Sequence, residues 1–176
     1  MDIFGKMQQA IVINNDGLYQ SVEIETNDYK SLCYEDKIEK IKEAGIVGLG
    51  GAGFPTHVKL SVKDINKVHY FIVNGAECEP YLTSDYRLML EKTDELIDGI
   101  HVILDMFPKA ICYIAIEDNK KEAISLLEEK CKDEDKIEVK ALKTKYPQGG
   151  ERMLIKVLTG KMLNSKMLPI DVGCIV

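Results

Sequence analysis

Two compact apolar runs, "HYFIVN" at 69–74 and "AICYIAIE" at 110–117, limit what this chain can fold into more than any other feature. Both are rich in β-branched and aromatic residues and too short to make independent helices. Near-continuous apolar runs of this kind read as strands buried on both faces, as in a parallel sheet. "KIEVKAL" (136–142) alternates apolar with charged residues and reads as a more peripheral strand. "DVGCIV" (171–176) starts another. Helical patterns fall between them. "TDELIDGIHVILDMF" places Leu96, Ile97, Ile100, Ile103, Leu104 and Phe107 on one face, with Pro108 as its stop. "NKKEAISLLEEKC" reads as a helix with Asn119 and Glu122 as a capping box, and "GERMLIKVLTG" as a helix ending at Gly160. Strand and helix alternate from about residue 46. The fold class expected is therefore α/β: three layers, with a mainly parallel sheet flanked by helices.

The first thirty residues follow another pattern. Ala10 to Ile13, the turn "NNDG", and Val22 and Ile24 alternating with polar neighbours predict a β-hairpin. It reads as the edge of another unit. "YEDKIEKIKEAG" then predicts a helix capped through Asp36 and Glu39 and stopped at Gly45. The domain division expected is 1–30 for the hairpin and 31–176 for the α/β domain.

Charge and composition exclude several functions. With 23 basic and 29 acidic side chains the net charge is −6, and no basic stripe stands out, so no nucleic-acid partner is expected. No apolar run approaches the ~20 residues of a membrane span, and no secretory leader is visible at the start. Five scattered cysteines without a C-x-x-C pair read as reduced thiols of a cytoplasmic protein. Three histidines, none spaced as a ligand pair, give no metal site.

Ligands of a parallel α/β sheet bind where the carboxyl ends of the strands open into loops, and three unusual loops lie at such places. The first is "GLGGAGFPTHVK" (48–59). Gly48, Gly50 and Gly53 satisfy G-x-G-x-x-G, but the dinucleotide-binding form needs a strand running straight into the loop and an acid about 20 residues on. Here a helix ends at Gly45, and Asn74 stands at the end of the next strand. The loop chemistry still suits phosphate: side-chain-free N–H groups, a following helix start at Pro55, and the charge of Lys59. A tight structural turn is the alternative. The second loop, "NGAECEP" (74–80), carries Glu77 and Glu79, acids that can accept from ribose, amide or ring N–H groups; solvated loop acids are the alternative. Cys78 between them reads as packing filler. The third, "YPQGGE" (146–151), offers Gly149 and Gly150 for close approach and Glu151 at a helix start, where charge complementarity is the alternative.

Together and in this order, "GIVGLGGAGFPTHVKL", "NGAECEPYLTSDYRLMLE", "IAIEDNK", "KTKYPQGGE" and "LPIDVGCIV" resemble the flavin-binding domain of the C subunit of Rnf electron-transport complexes. That domain is related to the NADH-binding 51-kDa subunit of respiratory complex I. The resemblance covers roughly residues 36 to 176 and extends to the Rnf-C-like electron-transfer partner of proline reductase. It implies an oxidoreductase subunit of the NADH dehydrogenase or ferredoxin:NAD oxidoreductase type, with FMN and NAD(H) as cofactors. Carried over onto this sequence, Gly48, Gly50, Gly51 and Lys59 hold FMN and Phe54 lies by the nicotinamide. Asn74 and Glu77 go to FMN, Glu79 to NAD(H), and Tyr146, Gly149 and Glu151 complete the site. No side chain is implied as acid or base.

Two positions depart from the relative's pattern: Ala76 stands for an aspartate and Gly150 for a glutamate, which implies altered nucleotide contacts. The 4Fe-4S clusters of the family lie in a C-terminal region absent from this sequence, so the chain reads as a fragment, inactive alone, whose α/β domain is truncated at its C-terminal end. The hairpin resembles the tail of the family's preceding β-rich domain. The partners implied are other subunits of a membrane-associated electron-transport complex, or a reductase, without direct membrane insertion and with a peripheral position at the cytoplasmic face. A docking module that keeps the fold without flavin is the competing reading.

Overall fold

A computed structural model describes residues 11–21, 28–49 and 52–176. Gly50, Gly51 and the second arm of the expected hairpin lie outside them. Of the first arm, Ile11–Ile13 is exposed and forms no strand.

The described chain runs α1 (Tyr34–Glu43), α2 (Thr56–Leu60), β1 (Tyr70–Gly75), α3 (Ser84–Glu91), α4 (Thr93–Met106), β2 (Ile111–Glu117), α5 (Lys121–Lys130), β3 (Ile137–Leu142), α6 (Glu151–Thr159) and β4 (Cys174–Ile175). The four strands form one parallel sheet in the order β3-β2-β1-β4. Tyr70 pairs with Ile111 and Cys112 with Ile137, which keeps the carboxyl ends of β1, β2 and β3 in step. As the alternation of 136–142 predicts, β3 is an edge strand: Ile137 and Leu142 are buried and Glu138 is exposed.

Successive side chains of a strand point to opposite faces, and here they divide into two cores. Phe71, Cys112, Ile114, Ile116 and Ile137 pack with Ile100, Leu104 and Phe107 of the α4 region and Leu127 of α5. Ile72, Ala115 and Leu142 pack with Leu154 and Ile155 of α6. The expected three layers are present.

Helix starts differ from the local reading. The N-cap of α1 is Cys33, whose sulfur accepts from the Asp36 N–H at 3.5 Å, so Asp36 sits inside the first turn. The expected Asn119 capping box does not form. The Lys120 N–H donates to the Glu117 carbonyl at 3.0 Å, a turn that delays α5 to Lys121 and leaves Asn119 short of the cap. Gly45 and Gly160 end their helices as expected, at φ of 66° and 72°.

Cys112, Cys131 and Cys174 are buried, and burial pushes each thiol pKa up; Cys33 is exposed and Cys78 half-buried. The Cys33 pKa is raised as well, so access of the reagent is what separates the exposed and half-buried thiols from the buried three. A disulfide-exchange reagent at pH 8 is therefore expected to titrate two thiols on the native protein and all five in denaturant. A third fast-reacting thiol would contradict this placement.

Candidate functional site at the carboxyl end of the sheet

The described residues on either side of Gly50 and Gly51 pair with each other just before α2. Val47 and Pro55 form an isolated antiparallel bridge, the Gly48 N–H donates to the Phe54 carbonyl at 2.8 Å, and the Thr56 N–H donates to the Ile46 carbonyl at 3.1 Å. Gly53 takes φ of 59°, the left-handed turn that glycine permits. The amide of Gly48 is thus engaged within the loop. Phe54 stands 48% exposed at its end. Pro55, the expected helix start, is the N-cap, and α2 begins one residue later at Thr56. From the last turn of α2, the Lys59 ammonium donates to the Val176 main-chain oxygen at 2.5 Å, so it reaches the end of β4.

The second and third loops meet directly. Asn74, at the end of β1, donates through Nδ2 to the Gly149 carbonyl at 2.9 Å, while its Oδ1 accepts from the Ala76 N–H at 3.2 Å. A Cβ at Gly149 would overlap the Ala76 carbonyl oxygen, so glycine is what lets these backbones touch. Gly150 is the N-cap of α6 without a side-chain cap, and Glu151 opens the helix, exposed. Tyr146, in the same loop, is 71% exposed. Gln148 is buried, with its Oε1 lacking a partner.

Glu77 and Glu79 part ways. Glu79 is exposed. Glu77 is buried, and its Oε1 accepts from the Asp85 N–H at 3.0 Å and the Ser84 hydroxyl at 3.3 Å, which caps α3 from seven residues upstream. Its Oε2 has no hydrogen-bond partner among the described residues and lies 3.6 Å from the Lys120 ammonium. Burial, followed by the nearby Glu77 charge, raises the pKa of Asp85. Sequence reasoning missed both α3 and Lys120. The phrase "TSDYRLMLE" held the helix signal, but nothing local marks the lysine.

The structure thus brings Asn74, Ala76 and Gly149 together at the carboxyl end of β1. Lys59 is tied to the end of β4, the strand beside β1, and Glu77, in the loop after β1, is buried against the start of α3. A concavity of about 400 Å³ lined by Lys67, His69, Lys161 and Asp171 opens at the other end, before β1 and β4. Its Lys161 is already committed to the Val172 carbonyl at 2.7 Å and to the Tyr70 ring. No helix among the described residues is long and apolar enough to cross a membrane.

Comparison with known proteins agrees with this architecture. The sequence matches the Nuo51 FMN-binding domain over residues 41–176. It is 50% identical over 175 residues to the C subunit of the proton-translocating ferredoxin:NAD(+) oxidoreductase complex of Clostridium ljungdahlii, covering 98% of this chain and 38% of that protein. It is 41% identical over 175 residues to the C subunit of the Na(+)-translocating ferredoxin:NAD(+) oxidoreductase complex of Acetobacterium woodii, covering 98% of this chain and 39% of the relative. The chain thus spans well under half of these relatives. The crystal structure of an NAD+-reducing [NiFe]-hydrogenase in the H2-reduced state shares the fold, with a TM-score of 0.63 and 23% identity over 73% of this chain and 24% of that one. A match running from residue 41 to residue 176 makes the chain a member of the Nuo51 FMN-binding domain family.

Proposed function

We propose that this chain is the part of an ion-translocating ferredoxin:NAD oxidoreductase subunit that binds FMN at the carboxyl end of its sheet and presents it to NAD(H). The observation that carries the reading is the joining of the β1 and β3–α6 loops through Asn74 and Gly149, with Lys59 of α2 reaching the end of the neighbouring β4, in a member of an FMN-binding family. The donor set fits the group. An ammonium following a glycine-rich stretch suits a phosphate. An exposed amide, two exposed aromatic rings and a buried carboxylate with one unpartnered oxygen suit a ring system with N–H and carbonyl edges.

Bound there, FMN supplies hydride exchange with NAD(H) and single-electron transfer to iron–sulfur clusters, which this reading places outside the chain. The protein's part is positioning. Lys59, with Gly50 and Gly51, holds the phosphate, the Gly48 N–H being taken by the Phe54 carbonyl. Asn74, already oriented by Gly149 and Ala76, presents its amide edge to the rings, with Glu77 behind it. Gly149 keeps the third loop close, and Tyr146 and Glu151 border it. Phe54 and Glu79, both exposed, receive the nicotinamide nucleotide. Other subunits of the complex hold the domain at the cytoplasmic face of the membrane.

The test is flavin titration, followed by fluorescence quenching, of this chain and of a form extended past Val176 to the relatives' length. A charge-assisted bond to phosphate contributes roughly 1.5–3 kcal/mol, so Lys59→Ala is expected to raise the FMN Kd about ten- to a hundredfold. An unchanged Kd would remove the phosphate from Lys59. The engaged Gly48 amide favours a second reading, a docking module that holds no flavin. Absence of FMN binding by both forms would establish it.

A further inference from the structure

Lys120 opens α5 at the N-cap position, where it is out of place by helix chemistry. Its side chain makes no cap hydrogen bond, lysine has no oxygen with which to cap, and a cation opposes the partial positive charge of a helix N-terminus. What it faces instead is Glu77. The two side chains are 14% and 2% exposed, and Lys120 Nζ lies 3.6 Å from the unpartnered Glu77 Oε2. The ammonium also stands over the Tyr86 ring of α3, 4.9 Å from its centroid, and the Tyr86 hydroxyl donates to Glu122 of α5 at 3.1 Å. A carboxylate this buried needs a countercharge, and among the described residues Lys120 supplies it.

Strand order gives the pair its reach. Because β2 lies between β1 and β3, the turn at 117–120 is flanked by the loops that follow both neighbours. Toward β1, Lys120 meets Glu77. Toward β3, Glu117 Oε1 accepts from the Lys145 N–H at 3.3 Å, and Asp118 accepts from the Thr144 N–H at 3.0 Å and its hydroxyl at 2.6 Å. The two flanking loops close on each other through Asn74 and Gly149. The turn after β2 therefore braces the loops from beneath.

We propose that Lys120 is a positioning residue: it fixes Glu77, and through it the 77–85 segment and the start of α3, so that the loop carrying Glu79 is held in place before any ligand arrives. The consequence for flavin rests on the function proposed above; the ordering of the loop does not.

The experiment is amide hydrogen exchange on the chain without FMN, comparing Lys120→Met with the parent. Peptides spanning 77–87 are expected to exchange about tenfold faster, while those of β2 and α4 keep their protection. Lys120→Arg, which keeps the charge, restores protection. The double variant K120M/E77Q also recovers much of it, because the uncompensated buried charge is gone. A Lys120→Met protein that fails to fold, beside a double variant that folds, supports the same coupling. FMN titration of the folded variants is expected to show a Kd raised about five- to twentyfold in Lys120→Met and restored in Lys120→Arg. Unchanged exchange at 77–87 in Lys120→Met, an equal rise in all peptides, or a loss that E77Q does not relieve overturns the proposal. Failure of the parent itself to bind FMN counts against the function alone, since the exchange result is read without flavin.

Discussion

Gly149→Ala is expected to disconnect the candidate site. The added methyl has nowhere to go: its Cβ would overlap the Ala76 carbonyl oxygen, and the next neighbours are the Ala76 carbonyl carbon at 3.5 Å and Asn74 Oδ1 at 3.6 Å. The obstacle is backbone, which cannot rotate aside as a flexible side chain can. Gly149 does not have positive φ, so the cost comes from overlap and not from the dihedral. Overpacking of this kind costs about 2 kcal/mol. Relief requires the β3–α6 loop to withdraw from β1, which breaks the Asn74–Gly149 hydrogen bond and frees the Asn74 amide. An FMN Kd raised at least ~tenfold is expected, alongside a lower urea midpoint with an unchanged slope. Gly150→Ala is the control. Its Cβ meets the Pro147 carbonyl at 3.3 Å, a smaller displacement at the neighbouring residue of the same loop. Equal flavin affinities in Gly149→Ala and the parent would show that contact between the two loops is not part of the site.

The contrast between Gly149 and Glu77 shows what the sequence could and could not reveal. Strands β1 and β2 were legible because a strand buried on both faces has no polar side to hide, and Phe71–Val73 and Ile111–Ile116 are apolar almost throughout. The edge position of β3 was legible from Glu138 and Lys140 between Ile137, Val139 and Ala141. Gly45 and Gly160 announced their helix ends because a positive φ is a local requirement. Glu77 had no such signature. Its acid in a loop at a strand end reads as an open ligand group, whereas the structure gives one oxygen to the start of α3 and sets the other beside Lys120. That use depends on β2 lying next to β1, which no window of residues contains. Helix α3 was missed although "TSDYRLMLE" held its signal: Thr83 makes no side-chain cap, and the first turn is capped from Glu77 instead. The importance of Gly149 was legible as permission for close approach, but its partner, the Ala76 carbonyl, was not.

Gly173→Ala is expected to be the more destabilising change for the fold, and a second glycine calibrates it. Gly173 and Gly160 are both left-handed, with φ of 73° and 72° and ψ of 29° and −4°. At Gly160 nothing lies within 4 Å of an added Cβ, so alanine there carries only the left-handed penalty, about 1–2 kcal/mol. At Gly173 the same methyl would also come within 2.7 Å of the Lys67 carbonyl and 2.9 Å of His69 Cδ2. That overlap adds about 1–3 kcal/mol. The backbone it displaces is an anchor, since the Gly173 carbonyl accepts from the His69 N–H at 2.8 Å and the Tyr70 N–H at 3.1 Å and sets β4 against the start of β1. Strand β4 in turn carries Val176 to the Lys59 ammonium. Gly173→Ala should therefore lower stability by about 2–5 kcal/mol and weaken FMN binding, with Gly160→Ala losing the smaller amount and keeping its flavin affinity. Chemical denaturation of the two variants side by side decides it. Equal losses would mean that β4 is free to shift, and that the site does not depend on the strand that holds Lys59.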